Sequence, residues 1–97
     1  MRIISQDGTV DIPYDYFSLT IATGKYDDVE VANIYCHNLS SPKGTKLAEY
    51  SSKEKAEKAI EMLHNDYYDH VAEKTYHEGY YYIHTCFRFP SDEDVEV

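Results

Sequence analysis

The chain has 97 residues, which is enough for one small domain that buries only about 60–65% of the surface its unfolded form exposes. Eighteen acidic residues against nine Lys and Arg give a formal net charge of −9. This length excludes a two-domain enzyme, and a hydrophobic content of 42% with eleven tyrosines excludes a disordered acidic chain. The sequence contains neither an apolar stretch of about 18 residues nor a signal peptide, so we expect a cytoplasmic protein with no membrane contact.

The first half of the chain is rich in short segments with the composition or alternation of β-strands. The predicted strands are residues 1–6, 9–14, 17–21, 29–38 and 45–50. Asp7-Gly8 separates the first two as a hairpin turn. Thr23-Gly24-Lys25 is expected to end the third strand, and residues 40–44 have the composition of a turn. In the fourth strand Ala32, Ile34 and Cys36 share one face.

One long helix is predicted from about Ser52 to Lys74. Its apolar face is formed by Ala56, Ala59, Ile60, Leu63, Tyr67, His70 and Val71. Ser51 and Glu54 fit a capping box at the helix start. A last strand is expected over residues 80–89, and the acidic residues 91–97 are expected to form a frayed tail.

Strands grouped before a single helix favour an α+β fold. We therefore expect one domain over residues 1–97, with an antiparallel sheet of about five or six short strands and one long helix packed on one face. The chain contains no internal repeat and no linker that would divide it.

The cysteines and histidines predict a metal site. His84 and Cys86 are two residues apart, so both project from one face of the last strand, whereas Cys36 and His37 lie on opposite faces of another. If these strands are neighbours, either His37 or Cys36 converges with His84 and Cys86, and nitrogen and sulfur are the ligands that zinc prefers. We therefore expect a structural zinc site among Cys36, His37, His84 and Cys86. The alternative is two thiols packed as apolar groups.

The charge is unevenly distributed along the chain. Five of the nine basic residues lie between positions 43 and 58, and outside that window four basic residues face fifteen acidic ones, a net of −11. Such a charge repels nucleic-acid phosphate, so we expect no direct nucleic-acid binding. It attracts basic protein grooves, and exposed tyrosines beside carboxylates suit such a groove, although tyrosines also pack in cores. No catalytic motif is present, which predicts a binding protein rather than an enzyme.

Three stretches carry a resemblance to a known group of proteins: residues 1–8 (MRIISQDG) followed by 10–14, residues 47–56 together with 61–63, and residues 87–97, which begin with FRFP. They resemble small acidic proteins from phages and prophages of Gram-positive bacteria. Residues 17–44 and 65–84 lie outside the resemblance.

Some small phage proteins of this kind are anti-CRISPR proteins that inhibit type II-A Cas9, which holds its nucleic acids in positively charged channels. The resemblance implies that this chain binds Cas9 in the bacterial host cell and blocks the loading of guide or target DNA through an acidic surface. The alternative is a small zinc-stabilised phage domain with another host-takeover or structural role.

Overall fold

The structure is a computed structural model that describes residues 1–38, 40–76 and 86–97. Its elements are β1 (Arg2–Ile4), β2 (Asp11–Pro13), β3 (Ser18–Tyr26), β4 (Val29–Asn38), β5 (Ser41–Tyr50), α1 (Lys53–Tyr76) and β6 (Cys86–Arg88). Two single turns of 3-10 helix occupy Tyr14–Tyr16 and Asp92–Asp94. The predicted α+β class is confirmed, and β4 has the predicted bounds.

The described strands form two sheets of three strands each, so the prediction of one antiparallel sheet of five or six strands is wrong. In the first sheet, which we call the terminal sheet, β1 lies between β2 and β6 and runs antiparallel to β2 but parallel to β6. In the second, the meander sheet, β3, β4 and β5 are paired antiparallel in chain order. Two parallel strands can be joined only by a long crossover connection. The connection from β1 to β6 contains α1, which follows β5 and precedes β6.

The core lies where α1 packs against the meander sheet. Ala32, Ile34 and Cys36 are at most 2% exposed, which confirms the predicted inward face of β4. Ala56, Ala59 and Leu63 of α1 are fully buried, as their helical spacing predicted, while the side chains of His70 and Val71 lie outside the described part. The terminal sheet adds Ile3, Ile12 and Phe87 to the same core. Over the described residues, no helix combines the length and the apolar character needed to cross a membrane.

The turn between β1 and β2 is built from the side chains of the opening motif. Ser5 is 1% exposed, and its hydroxyl donates to Asp7 Oδ1 (2.7 Å) and accepts from the Val10 N–H (3.0 Å). Asp7 Oδ1 also accepts from the backbone and hydroxyl of Thr9, and these hydrogen bonds lower the pKa of Asp7 to about 2. Gly8 has a φ of +81°, a conformation that costs glycine little. The predicted hairpin turn is confirmed.

Gln6 connects the two sheets. Its backbone N–H donates to the Leu47 carbonyl of β5 (2.7 Å), and its side-chain Oε1 accepts from the Glu49 N–H (3.0 Å). Its Nε2 donates to the Glu49 carbonyl (3.2 Å) and to the Pro90 carbonyl just after β6 (3.0 Å). The buried Tyr50 hydroxyl donates to the same Pro90 carbonyl (2.7 Å). Gln6, Tyr50 and Pro90 therefore hold the two sheets together.

The acidic C-terminal segment is packed, so the expectation of a frayed tail is wrong for its first residues. Val95 is only 2% exposed. The Asp92 carboxylate accepts from the Ser51 N–H (2.7 Å), from the Ser51 hydroxyl (3.1 Å) and from Lys55 Nζ (3.2 Å). These bonds, led by that of the Ser51 N–H, lower the pKa of Asp92. Because Ser51 is engaged there, Ser52 caps α1 instead by accepting from the Lys55 N–H (3.2 Å).

Candidate protein-interaction surface

The outer half of the β3–β4 hairpin leaves the body of the domain. The two strands pair without interruption from Ser18 and His37 to Tyr26 and Val29. Every residue from 22 to 30 is exposed, and a Cβ atom added to Gly24 would meet nothing within 4 Å. We call residues 22–30 the arm. Beyond Gly24 and Val31 both strands of this ribbon are exposed, whereas nearer the domain Ala32, which lies opposite Thr23, is fully buried.

The sequence does not predict the arm, because Thr23-Gly24-Lys25 has the composition of a strand end. Glycine weakens a strand, but it does not stop one when the neighbouring strand supplies the pairing. Here Gly24 lies opposite Val31, and Tyr26 lies opposite Val29, so β-branched residues of β4 hold the ribbon. The available signal was the Asp27-Asp28 dipeptide between two segments rich in β-formers.

The tip of the arm combines negative charge with exposed apolar surface. Asp27 and Asp28 form the two-residue turn with φ values of +51° and +63°, a left-handed conformation that Asp tolerates better than most residues. On either side, the side chains of Tyr26 and Val29 are 76% and 60% exposed. Glu30 adds a third carboxylate opposite Lys25. The tip therefore offers carboxylates, an aromatic ring and an aliphatic group together.

Ion pairs engage four of the carboxylates among the described residues. The ion pairs among the described residues are Arg2–Asp11, Lys46–Glu49, Lys55–Asp92 and Lys58–Glu61. All four are partly exposed, and such pairs typically contribute about 0–1 kcal/mol. None of the four engages the arm. Because Glu30 faces Lys25 across the ribbon, the charge left to act on molecules outside the domain is that of Asp27 and Asp28.

A pocket of ≈ 360 Å³ lies on the side of the domain where α1 meets the start of β3. Its lining residues are Ile3, Tyr14, Asp15, Phe17, Leu19, Ile60 and His64. The ring of Tyr14 stacks on that of Tyr67 with centroids 4.0 Å apart, and the Tyr67 hydroxyl donates to Asp15 Oδ1 (3.3 Å). The charge of Asp15 is the main cause that raises the pKa of Tyr67, while burial raises that of Tyr14.

Among the described residues, the structure does not group Cys36, His37 and Cys86 as ligands of one metal ion. β4 is flanked by β3 and β5 in the meander sheet, whereas β6 pairs with β1 in the terminal sheet, so the strands that carry Cys36 and Cys86 are not neighbours. Cys36 is buried and Cys86 is exposed. His84 lies outside the described residues. Within those residues no three His, Cys, Asp or Glu side chains are grouped to hold a metal ion.

The contacts of His37 and the burial of Cys36 give these two side chains structural roles and not the roles of metal ligands. The His37 ring bridges Thr20 Oγ1 (2.7 Å from Nε2) and the Pro42 carbonyl (3.1 Å from Nδ1). With Nδ1 donating to the carbonyl and Nε2 accepting from the hydroxyl, a neutral imidazole satisfies both contacts. Burial raises the pKa of the Cys36 thiol, which disfavours the thiolate that zinc binds. The geometry thus matches the alternative of a packed thiol at Cys36.

Comparison with known proteins adds no assignment: no protein-family model, no curated protein and no solved structure matches the chain. The arm, the pocket and the distribution of charge are therefore the features of the molecule that bear on its function. Of these, the charge was visible in the sequence, whereas the arm and the pocket depend on how β3 extends and where α1 packs.

Proposed function

We propose that this protein is a phage-encoded anti-CRISPR protein that binds type II-A Cas9 in the cytoplasm of the bacterial host and blocks the loading of guide or target DNA. In this proposal it acts by binding and catalyses no reaction. The observation that carries the proposal is the arm, whose exposed tip places Asp27 and Asp28 between Tyr26 and Val29. The choice of Cas9 as partner comes from the resemblance of the opening motif, the helix and the C-terminal segment.

The shape of the arm suits a channel that holds nucleic acid. From Gly24 and Val31 to the tip, three residues of each strand at about 3.3 Å per residue give a projecting ribbon roughly 10 Å long. A two-stranded ribbon is narrow enough to enter the ≈ 12 Å major groove of DNA, so a protein channel that admits a duplex has room for one. The tip of the arm can therefore reach basic side chains at the mouth of such a channel while the rest of the domain stays outside.

The chemistry of the tip suits the same partner. Lys and Arg side chains that contact phosphates offer a complementary charge to Asp27 and Asp28, and this complementarity steers association. Charge complementarity increases the association rate and orients the partners more than it increases the affinity of the complex. Tyr26 supplies the contact area that binding energy needs, since tyrosines are common among the residues that dominate interfaces.

The stretches that resemble the phage proteins lie in the scaffold and not in the arm, which supports separate roles for these two parts of the chain. The motifs that resemble the phage proteins contain Gln6, Tyr50 and Pro90, which connect the two sheets. The arm lies within residues 17–44, outside the resemblance. A shared scaffold with a distinct arm is what we expect if the arm selects the partner.

A DNA-cleavage assay with purified type II-A Cas9 tests the proposal. The protein is added in molar excess either before or after guide RNA, which separates a block of guide loading from a block of target loading. We expect inhibition of at least one orthologue, with association that slows as salt rises because charge steers it. Undiminished cleavage by several orthologues in both orders of addition would refute Cas9 as the partner.

The double variant Asp27→Asn/Asp28→Asn tests the charge of the arm. Asn tolerates the left-handed backbone of this turn, so the hairpin is kept while two charges are removed. We expect association with Cas9 to slow about three- to tenfold at low salt, with a smaller difference at high salt. The control Glu93→Gln/Glu96→Gln removes the same charge from exposed positions elsewhere and should change association less. Equal effects of the two double variants would show that only total charge matters.

Tyr26→Ala tests the apolar part of the tip. If Tyr26 is a dominant contact, its truncation weakens binding about 30-fold or more. Tyr68 is 70% exposed, so Tyr68→Ala is a matched control that should leave binding within about twofold. If Tyr26→Ala inhibits Cas9 as strongly as Tyr68→Ala does, the arm is not part of the interface.

A further inference from the structure

The pocket between α1 and the start of β3 is a second feature of the surface with the properties of a binding site. Its volume of ≈ 360 Å³ lies at the lower end of the roughly 300–1,000 Å³ usual for small-molecule sites. Ile3, which is 1% exposed, and the aliphatic side chains of Leu19 and Ile60 form apolar walls. The exposed residues Asp15 and His64 place polar groups at the rim.

The charged and aromatic groups of the pocket favour a cation. Among the described residues that line the pocket none is Lys or Arg, and Asp15 contributes a carboxylate. Within the described part of the chain, Oδ1 of Asp15 accepts from Tyr67, which leaves Oδ2 for another donor. The ring of Tyr14 also lines the pocket, and aromatic faces attract cations. Apolar walls next to a carboxylate and a ring require a ligand with an apolar stem and a positive end.

Resting on the proposed function, we infer that the pocket between α1 and the start of β3 receives an arginine side chain of the basic partner. The alkyl stem packs on Leu19 and Ile60, and the guanidinium meets Asp15 and the face of the Tyr14 ring that is not stacked on Tyr67. Arginine fits better than lysine because its planar guanidinium both stacks on aromatic rings and hydrogen-bonds a carboxylate with directed N–H groups. The partner is thereby engaged at the pocket as well as at the tip of the arm.

The inference is tested without the partner by an NMR titration of the isotope-labelled full chain with N-acetyl-arginine methylamide. We expect shift changes at the amides of residues 14–19 and 60–64, with a dissociation constant in the millimolar range. The citrulline analogue has almost the same shape without the charge and should bind at least tenfold more weakly. Scattered shifts, or equal binding of the two probes, would overturn the inference.

Matched variants locate the binding. Asp15→Asn should weaken binding of the arginine probe about tenfold, because it removes the charge and keeps an oxygen for the Tyr67 hydroxyl. The arm variant Asp27→Asn/Asp28→Asn removes more charge at another place and should leave the probe's dissociation constant unchanged. An equal loss in both variants would show that the probe responds to overall charge, which overturns a pocket-specific site.

The cleavage assay separates this inference from the proposed function. If the pocket holds an arginine of Cas9, Asp15→Asn weakens inhibition as well as probe binding. Inhibition that is unchanged by Asp15→Asn overturns the pocket as part of the interface and leaves the proposed function standing. Specific binding of the arginine probe together with undiminished cleavage refutes Cas9 as the partner while supporting the cation chemistry of the pocket.

Discussion

The clearest prediction about the scaffold concerns Gln6. Gln6→Ala removes three side-chain hydrogen bonds, to the N–H and carbonyl of Glu49 and to the carbonyl of Pro90. A typical hydrogen bond contributes about 0.5–1.5 kcal/mol, and the partial exposure of these partners places each near the lower end. We therefore expect Gln6→Ala to lower the free energy of unfolding by about 2 kcal/mol. At about 4–8 °C per kcal/mol for a domain of this size, the midpoint temperature falls by roughly 8–16 °C.

Tyr50→Phe makes the prediction sharper, because the Tyr50 hydroxyl and Gln6 Nε2 donate to the same Pro90 carbonyl. Alone, Tyr50→Phe removes one hydrogen bond and should cost about 1 kcal/mol. After either single substitution the carbonyl keeps one donor, whereas in the double variant it keeps neither. The double variant should therefore cost more than the sum of the single variants, by about 0.5–1 kcal/mol.

Urea unfolding of the four proteins, followed by tyrosine fluorescence or circular dichroism, measures this coupling. Lys46→Ala is a local control, since it removes only an exposed ion pair with Glu49 and should cost less than about 0.5 kcal/mol. Strictly additive losses would refute the coupling through the Pro90 carbonyl. A Gln6→Ala variant as stable as the control would refute the role of Gln6 in joining the two sheets.

Three further predictions concern single sites. Gly44→Ala should destabilise the domain by about 1–3 kcal/mol in urea, because Gly44 has a φ of +84° and an added Cβ would lie 2.5 Å from the His37 ring. A thiol reagent should modify the exposed Cys86 at once and the buried Cys36 only on unfolding; protection of both thiols that a chelator abolishes would instead favour the zinc site. Hydrogen bonds lower the folded-state pKa of Asp7 from 3.8 to about 2, so its contribution is complete above pH 3.8 and is lost as pH falls towards 2. Between pH 3.8 and 2 the free energy of unfolding should therefore fall less steeply with decreasing pH in Asp7→Asn than in the unsubstituted protein.

The sequence predicted features that depend on near neighbours in the chain. The alternation in β4 gave its bounds and its buried face, because side chains two apart on a strand share a side. Helical spacing located α1 to within two residues at each end. Asp7-Gly8 identified a turn whose glycine has positive φ. In each case the local pattern is sufficient because one face must be buried or one residue must adopt a special backbone conformation.

The features that the sequence did not predict depend on residues far apart in the chain. The parallel pairing of β1 with β6 joins the two ends of the chain, and no local pattern marks it. Asp92 in the C-terminal segment accepts a hydrogen bond from Ser51, and Ser52 instead of Ser51 caps α1. The zinc prediction required β4 and β6 to be neighbours, which is a property of strand order and not of ligand spacing.

The separation of scaffold and arm leads to a last prediction. Replacing residues 25–30 with Asn-Gly joins Gly24 to Val31 through a two-residue turn of the type that β-hairpins favour. All six replaced residues are exposed, so their removal takes no apolar surface from the core, and the free energy of unfolding should change by less than about 1 kcal/mol.

Inhibition of Cas9 by this shortened chain should be lost, while the arginine probe still binds at the pocket, whose lining residues lie outside the replaced segment. A shortened chain that is several kcal/mol less stable would show that the arm supports the fold. One that is stable and inhibits as strongly as the original chain would show that the interface lies elsewhere. Because stability, inhibition and probe binding are measured on the same variant, the scaffold, the arm and the pocket are tested as separate parts of one molecule.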